Sequence, residues 1–307
     1  NEERVYMRVG AISDIHLRPD GSDDQLILEI KKRVEDLNPD VFIIAGDISA
    51  KIDVLSDSLS KLYVSNCKNL FVAGNHDVWF EQGEGFSSLE KYSHVLGEVC
   101  KKHGWIHLPD QPFIVDKIAF IGSLGWSDYS FRRTDLQIPE EVYEQKQYKE
   151  AIWYDVFNID WHFTDKEATD LFNRKIEYDL SIIPEEIEKI VFVSHHLPFK
   201  ELTLYKHRLP WDFFSAYMGA TSTGKILLDD ERVVLTISGH SHIRSRIRIN
   251  GITAITVPIG YGRPDSNNIP AFVESAVAEI IIEVRNILLP GFVEGDICAG
   301  LPYVVTR

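Results

Sequence analysis

The residue pattern predicts an α/β protein whose largely parallel sheet gathers its functional groups at strand ends. Three observations carry that expectation. Five short apolar runs, Val9-Gly10-Ala11-Ile12, Val41-Phe42-Ile43-Ile44-Ala45, Leu70-Phe71-Val72-Ala73, Ile190-Val191-Phe192-Val193 and Val233-Val234-Leu235-Thr236-Ile237, are rich in β-branched residues and read as buried strands. Helical patterns alternate with strands over the first 125 residues, as in βαβ units. Each apolar run ends in a short polar turn: Asp14-Ile15-His16, Gly46-Asp47, Gly74-Asn75-His76-Asp77, Ser194-His195-His196 and Gly239-His240-Ser241-His242. Open α/β sheets bind ligands at strand carboxyl ends, so these groups are expected to meet on one edge of one sheet.

Asp23 or Asp24 is placed to cap a first helix with the apolar face Ile27, Ile30, Val34 and Leu37, and Asn38-Pro39 stops it. The strand at 41–45 follows within three residues. Ser87-Ser88-Leu89-Glu90 fits a capping box, followed by Leu89, Tyr92, Leu96 and Val99 at helical spacing. From about 126 to 185 the alternation stops, and the stretch turns acidic and aromatic, with Trp126, Tyr143, Trp153 and Trp161 among its rings. Its one clear helix starts at the capping box Thr164-Asp165-Lys166-Glu167 and shows the face Ala168, Leu171, Phe172, Ile176. Residues 126–185 therefore read as an insertion or cap over the sheet edge of a single domain spanning 1–307. Its aromatics either glue it to the core or wall a substrate pocket. Strand signals return at 252–257 and 277–284, as for a second sheet.

The chain has 307 residues, 44% apolar and 26% charged, with a formal net charge of −15. That balance argues against a nucleic-acid or anionic-membrane partner, because phosphate backbones call for clustered Lys and Arg. A small phosphorylated substrate stays compatible, since a metal neutralises its charge locally. Cys67, Cys100 and Cys298 are widely spaced and form no CxxC pair, which suits thiols in a reducing compartment. No apolar run reaches the roughly 18 residues of a membrane span. Asn1-Glu2-Glu3-Arg4 lacks a signal-peptide pattern, so a cytoplasmic location is expected.

Taken singly, each turn is weak evidence, because Asn and Asp suit turns by bonding their own backbone. Turn formation does not call for histidine, however, and all five turns carry metal-ligand residue types. The ordered series Asp-x-His, Gly-Asp, Gly-Asn-His-Asp, His, Gly-His-x-His over residues 14–242 resembles the calcineurin-like metallophosphoesterase superfamily. The resemblance implies a metallo-dependent phosphatase fold: a four-layer α/β/β/α sandwich of two mixed sheets flanked by helices. It also implies one metal held by Asp14, His16, Asp47 and His242, and a second held by Asp47, Asn75, His195 and His240, with Asp47 bridging. Only one histidine of the pair His195-His196 need be a ligand; His195 is nearer the strand end and matches the family better. The thiolate-free O/N set suits two divalent ions, Mn²⁺, Fe or Zn²⁺, with Mn²⁺ favoured.

Two such ions lower the pKa of a bridging water, giving hydroxide near neutral pH for attack on a small phosphomonoester or phosphodiester. By resemblance His76 is no ligand but faces the phosphate, where it donates a proton to the leaving oxygen or stabilises its charge, and Asp77 beside it is a candidate to orient its ring. Gly46-Asp47 is followed by Ile48-Ser49-Ala50-Lys51 rather than Asp-Arg-Gly, which departs from the Ser/Thr protein phosphatase branch. Arg132, Arg133 and Arg263 are candidate phosphate contacts or else surface cations, and His94, His103, His107, His162 and His207 have no partner at ligand spacing. A nuclease of the same superfamily is the alternative, opposed by the acidic charge. A non-catalytic scaffold is opposed by the complete set of ligand types.

Overall fold

The computed structural model describes residues 6–265 and 268–283, together with the backbone of 303–305. Two six-stranded sheets form its centre. In chain order the strands are β1 (Tyr6–Ile12), β2 (Val41–Ala45), β3 (Lys68–Val72), β4 (Ile106–His107), β5 (Phe113–Val115), β6 (Ile118–Ser123), β7 (Gln147–Tyr148), β8 (Ala151–Ile152), β9 (Lys189–Ser194), β10 (Val233–Ser238), β11 (Ser245–Ile249), β12 (Ile252–Thr256), β13 (Ala278–Glu283) and β14 (Tyr303–Val305). The first sheet runs β14-β13-β1-β2-β3-β4, the second β11-β12-β10-β9-β6-β5, and β7-β8 is a separate small ribbon. β1 to β4 are mutually parallel, as are β12, β10, β9 and β6, while β13, β11 and β5 join antiparallel.

Strand alternation explains the layering, because successive side chains point to opposite faces. From β2, Val41, Ile43 and Ala45 enter the layer between the sheets, where they join Val191, Val193, Leu235 and Ile237. Phe42 and Ile44 point the other way, into a cluster with Ile27, Ile30, Val34, Leu55 and Leu59 of the helices Asp24–Leu37 and Ile52–Leu62. On the far face of the second sheet, Ile190 and Phe192 pack with Ile176 and Leu180 of the helix Asp165–Ile182. The result is the helix, sheet, sheet, helix sandwich.

Several details differ from the sequence expectation. The strand at Ala278–Glu283 belongs to the first sheet, against β1, while β9 and β10 build the second. The polar turns thus come from the adjoining edges of two sheets, not from one. Ser13 fastens those edges: its N–H bonds Val257 O at 2.9 Å and its carbonyl accepts from Ile259 at 2.8 Å. Asp23 does occupy the helix N-cap position but makes no capping bond. Its carboxylate accepts instead from the Arg18 backbone (2.8 Å) and guanidinium (2.9 Å).

Both capping boxes form, at Ser87/Glu90 and Thr164/Glu167. After the first, a π turn at Lys91–Val95 shifts the register, so Leu89 is left exposed while Leu96 and Cys100 are buried. The helix Asp165–Ile182, read as part of the insertion, is an outer-layer helix of the sandwich, although Leu171 faces out. The stretch before it is an aromatic elaboration that packs Tyr129 and Tyr143 on Phe213 and Tyr217. Cys67 and Cys100 are free thiols; Cys298 and residues 1–4 lie outside the described residues. Among those described, no helix is long and apolar enough to cross a membrane.

Candidate metal centre

The turns that end β1, β2, β3, β9 and β10 meet in one place. Five of their residues, Asp14 (φ 58°), His16 (48°), Asp47 (60°), His240 (66°) and His242 (54°), adopt the left-handed backbone conformation. Each such non-glycine residue costs about 1–3 kcal/mol and persists only where its surroundings dictate it. Here the surroundings are tight. A Cβ on Gly46 would lie 2.5 Å from the Gly74 nitrogen and 2.6 Å from His195 Nδ1, so only glycine lets these loops touch.

Asp77 is the clamp beneath them. Its Oδ2 accepts from the N–H groups of Asp47 and Gly74, and its Oδ1 from those of Ile48 and Ser49, at 2.8–2.9 Å. With both oxygens so engaged it does not orient His76. Asp77→Ala leaves four buried N–H groups unpaired, each worth roughly 1–3 kcal/mol, so a loss of about 3 kcal/mol or more is expected. Urea unfolding monitored by circular dichroism reads it out, and an unchanged midpoint contradicts the clamp.

Asp14 accepts from the His240 backbone at 2.9 Å and from Ser13 Oγ at 2.5 Å. The ring nitrogens Nε2 of His16 and Nε2 of His242 stand 3.1 Å apart. Asp47 Oδ2 lies 3.5 Å from the first and Asp14 Oδ1 3.4 Å from the second. The ligand atoms of Asp14, His16, Asp47 and His242 all fall within 4.8 Å of one another, a set that can hold a cation.

A second cluster shares Asp47. Its Oδ1 accepts from the His76 N–H (2.9 Å), and its Oδ2 lies 3.3 Å from His195 Nε2. His195 Nδ1 bonds the Ala45 carbonyl (2.9 Å) and His240 Nε2 bonds the Tyr217 carbonyl (3.1 Å). A carbonyl only accepts, so those two nitrogens carry the hydrogens. The remaining nitrogens, His195 Nε2 and His240 Nδ1, face each other at 3.2 Å. Beside them Asn75 gives its Nδ2 hydrogens to Asp155 (2.9 Å), and its Oδ1 is buried with no hydrogen-bond partner. An orphaned amide oxygen and two converging imidazole nitrogens around a carboxylate fit a second divalent cation.

Electrostatics agree with that fit. Burial drives His16 down to about 3 against the pull of Asp47, and drives His240 well below the usual imidazole range, so both rings are neutral and able to ligate. Burial acts on His195 in the same sense, but Asp47 reverses it and lifts that ring to about 10. Asp47, although buried, is held well below the carboxylate range by His195 and His76. His196 is a different case: it lies between Trp126 (4.8 Å) and His240 (4.1 Å), and burial lowers it to about 3.

His76 sits at the mouth, its side chain 31% exposed and its ring stacked on Trp79 at 3.7 Å. Its Nε2 is 3.9 Å from Asp47 Oδ2. The three arginines are committed elsewhere. Arg263 donates to the Ile15 and His16 carbonyls, Arg132 to Tyr129 O and Glu140, and Arg133 to Asp135 and Asp212. His103 bonds Ser56 and His107 bonds Asp110, away from the centre. The sequence pattern did not single out Asp155, Trp79 or the Ala45 and Tyr217 carbonyls, since none belongs to a strand-end motif.

The model of the family described as calcineurin-like phosphoesterase matches residues 7–244. An uncharacterised protein of Acanthamoeba polyphaga mimivirus is 22% identical over 252 residues, 80% of this chain and 87% of that one. Among solved structures, phosphopantetheinyl hydrolase (PptH) of Mycobacterium tuberculosis aligns with a TM-score of 0.69 at 20% identity, over 95% of this chain and 99% of that one. A dimetal phosphatase of Danio rerio aligns with a TM-score of 0.50 at 16% identity, over 82% and 87%. These likenesses show the shared fold.

Proposed function

Because the chain belongs to the calcineurin-like phosphoesterase family and is thereby a metal-dependent phosphoester hydrolase, we propose that it cleaves a small phosphomonoester or phosphodiester at a two-metal centre. The observation that carries this reading is the position of Asp47 Oδ2, which faces His16 at 3.5 Å on one side and His195 at 3.3 Å on the other. One oxygen so placed suits a bridge between two ions, one with Asp14, His16 and His242, the other with Asn75, His195 and His240. When bound, such a pair supplies a water of lowered pKa and screens the charge of the phosphate oxygens.

The protein's own groups do the rest. Asp77 fixes the loops that carry Asp47 and Asn75. The carbonyls of Ala45 and Tyr217 keep hydrogens on the outward nitrogens of His195 and His240. His76 Nε2 faces the centre from its edge, where it gives a proton to the leaving oxygen. The donor set of carboxylate, amide and imidazole suits Mn²⁺, Fe or Zn²⁺, with Mn²⁺ the first choice. A net charge of −15 disfavours nucleic acid as substrate, and the free Cys67 and Cys100 suit a cytoplasmic setting.

The test is hydrolysis of p-nitrophenyl phosphate and bis-p-nitrophenyl phosphate by Mn²⁺-loaded protein. A phosphopantetheinyl conjugate and single-stranded DNA complete the panel. Turnover of either nitrophenyl ester that chelation abolishes is the expected result. Turnover of DNA alone would favour a nuclease, and none at all with two ions bound would sink the reading.

A further inference from the structure

The elaboration that precedes the helix Asp165–Ile182 reaches the metal centre through the Trp153 ring, edge-on to His240 at 5.6 Å, and through one buried carboxylate. Asp155 opens the short helix Asp155–Asn158, and its Oδ1 accepts from Asn75 Nδ2 at 2.9 Å and from Trp79 Nε1 at 2.6 Å. Its Oδ2 accepts from Trp153 Nε1 at 2.7 Å. Both oxygens are thus engaged, and two of the three donors are groups that border the reaction. Asn75 presents the orphaned oxygen of the second cation set, and Trp79 is the surface on which His76 is stacked.

We propose that Asp155 is a positioning residue that sets Asn75 and the His76–Trp79 stack together, tying the elaboration to the second metal position. The inference rests on the two-metal reading above. The two ends of an asparagine amide are nearly the same size, so packing alone does not choose between them. A carboxylate accepts only, and so selects the orientation that turns Nδ2 toward itself and Oδ1 toward the centre. The same oxygen fixes the indole, and with it the plane against which the imidazole of His76 rests. Outer partners of this kind orient ligands, and their loss commonly costs about 10–100-fold in metal affinity or activity.

The chain holds an internal control. Asp165 is also a buried carboxylate of this region, accepting from Trp126 Nε1 (2.7 Å) and Tyr129 Oη (2.5 Å) and paired with Lys146 (2.6 Å). None of its partners is a residue of the cation sets or His76. A purely structural anchor should therefore behave like Asp165.

Mn²⁺ titration calorimetry on the full chain, with kcat and KM for a nitrophenyl ester, separates the two roles. Asp155→Leu, of similar volume but without an acceptor, is expected to weaken one of two Mn²⁺ sites by about 10–100-fold, keep the other, and lower kcat more than KM changes. Asp165→Asn is expected to lower the melting temperature and leave both Mn²⁺ affinities in place. Trp79→Phe, which removes the indole N–H and trims the ring on which His76 is stacked, is expected to lower kcat with both sites retained. Asp155→Ala removes the same acceptors and is expected to give the same selective loss; where Asp155→Leu does not fold, it decides. Parental Mn²⁺ affinities in folded Asp155→Leu or Asp155→Ala would overturn the proposal. So would an equal loss at both sites, because Asp155 touches only one set. A parent protein that binds fewer than two ions fails the two-metal reading itself, a distinct outcome.

Discussion

His76→Ala lowers kcat by about 10²-fold or more and leaves the metal content unchanged. The two halves of this expectation come from different atoms of the residue. The backbone N–H of His76 bonds Asp47 Oδ1 at 2.9 Å, and alanine keeps that bond. The ring is what is lost, and it stands at the mouth, stacked on Trp79 and edge-on to His16 at 4.5 Å. It takes no part in either cation set. The loss should be smaller for esters with good leaving groups, such as nitrophenolate, than for alkyl esters, because a stable leaving anion needs less protonation. Elemental analysis beside steady-state kinetics checks both halves. Loss of bound metal in the variant would move His76 from proton donor to ligand.

Asp47→Asn is expected to lower occupancy at both positions together, with activity following. The substitution keeps shape and an acceptor for the His76 N–H, but removes the charge that Oδ2 presents to His16 and His195. Every other proposed ligand belongs to one set, so its loss should empty one position more than the other. A bridging residue has no such asymmetry. The effect should exceed the about 10–100-fold typical of outer partners, since Asp47 itself lies among the ligand atoms. Metal equivalents per chain, measured after gel filtration in metal-free buffer, give the answer. Two full equivalents in the variant would show that Asp47 is not shared.

Much of this arrangement was legible because catalytic groups must sit where strands end. The runs before Asp14, Asp47, Asn75, His195 and His240 are all strands, and their burial on both faces follows from their near-continuous apolar composition. What the pattern concealed was partnership. Periodicity registers that Val233–Ser238 is a strand, but not that it lies in a different sheet from Val41–Ala45. Pairing is decided by long-range packing, and the isolated bridge of Ser13 to Pro258 links the two sheets. The capping box at Thr164 marked a helix start correctly, yet local signals do not say whether a helix is insertion or outer layer.

The same limit applies around the site. Asp77 follows His76 directly, which invites a role on its ring, whereas the folded chain turns the carboxylate down onto four backbone N–H groups. Asp155 lies 80 residues from Asn75, with no motif to join them. Arg263, by sequence a candidate phosphate contact or else a surface cation, is returned by its loop to the carbonyls of Ile15 and His16.

The most direct test of the two-metal account is an anomalous difference map at the manganese edge from crystals grown with Mn²⁺. The account predicts two peaks per chain, one among Asp14, His16, Asp47 and His242, the other among Asp47, Asn75, His195 and His240. A single peak, or two that do not share Asp47, would contradict it.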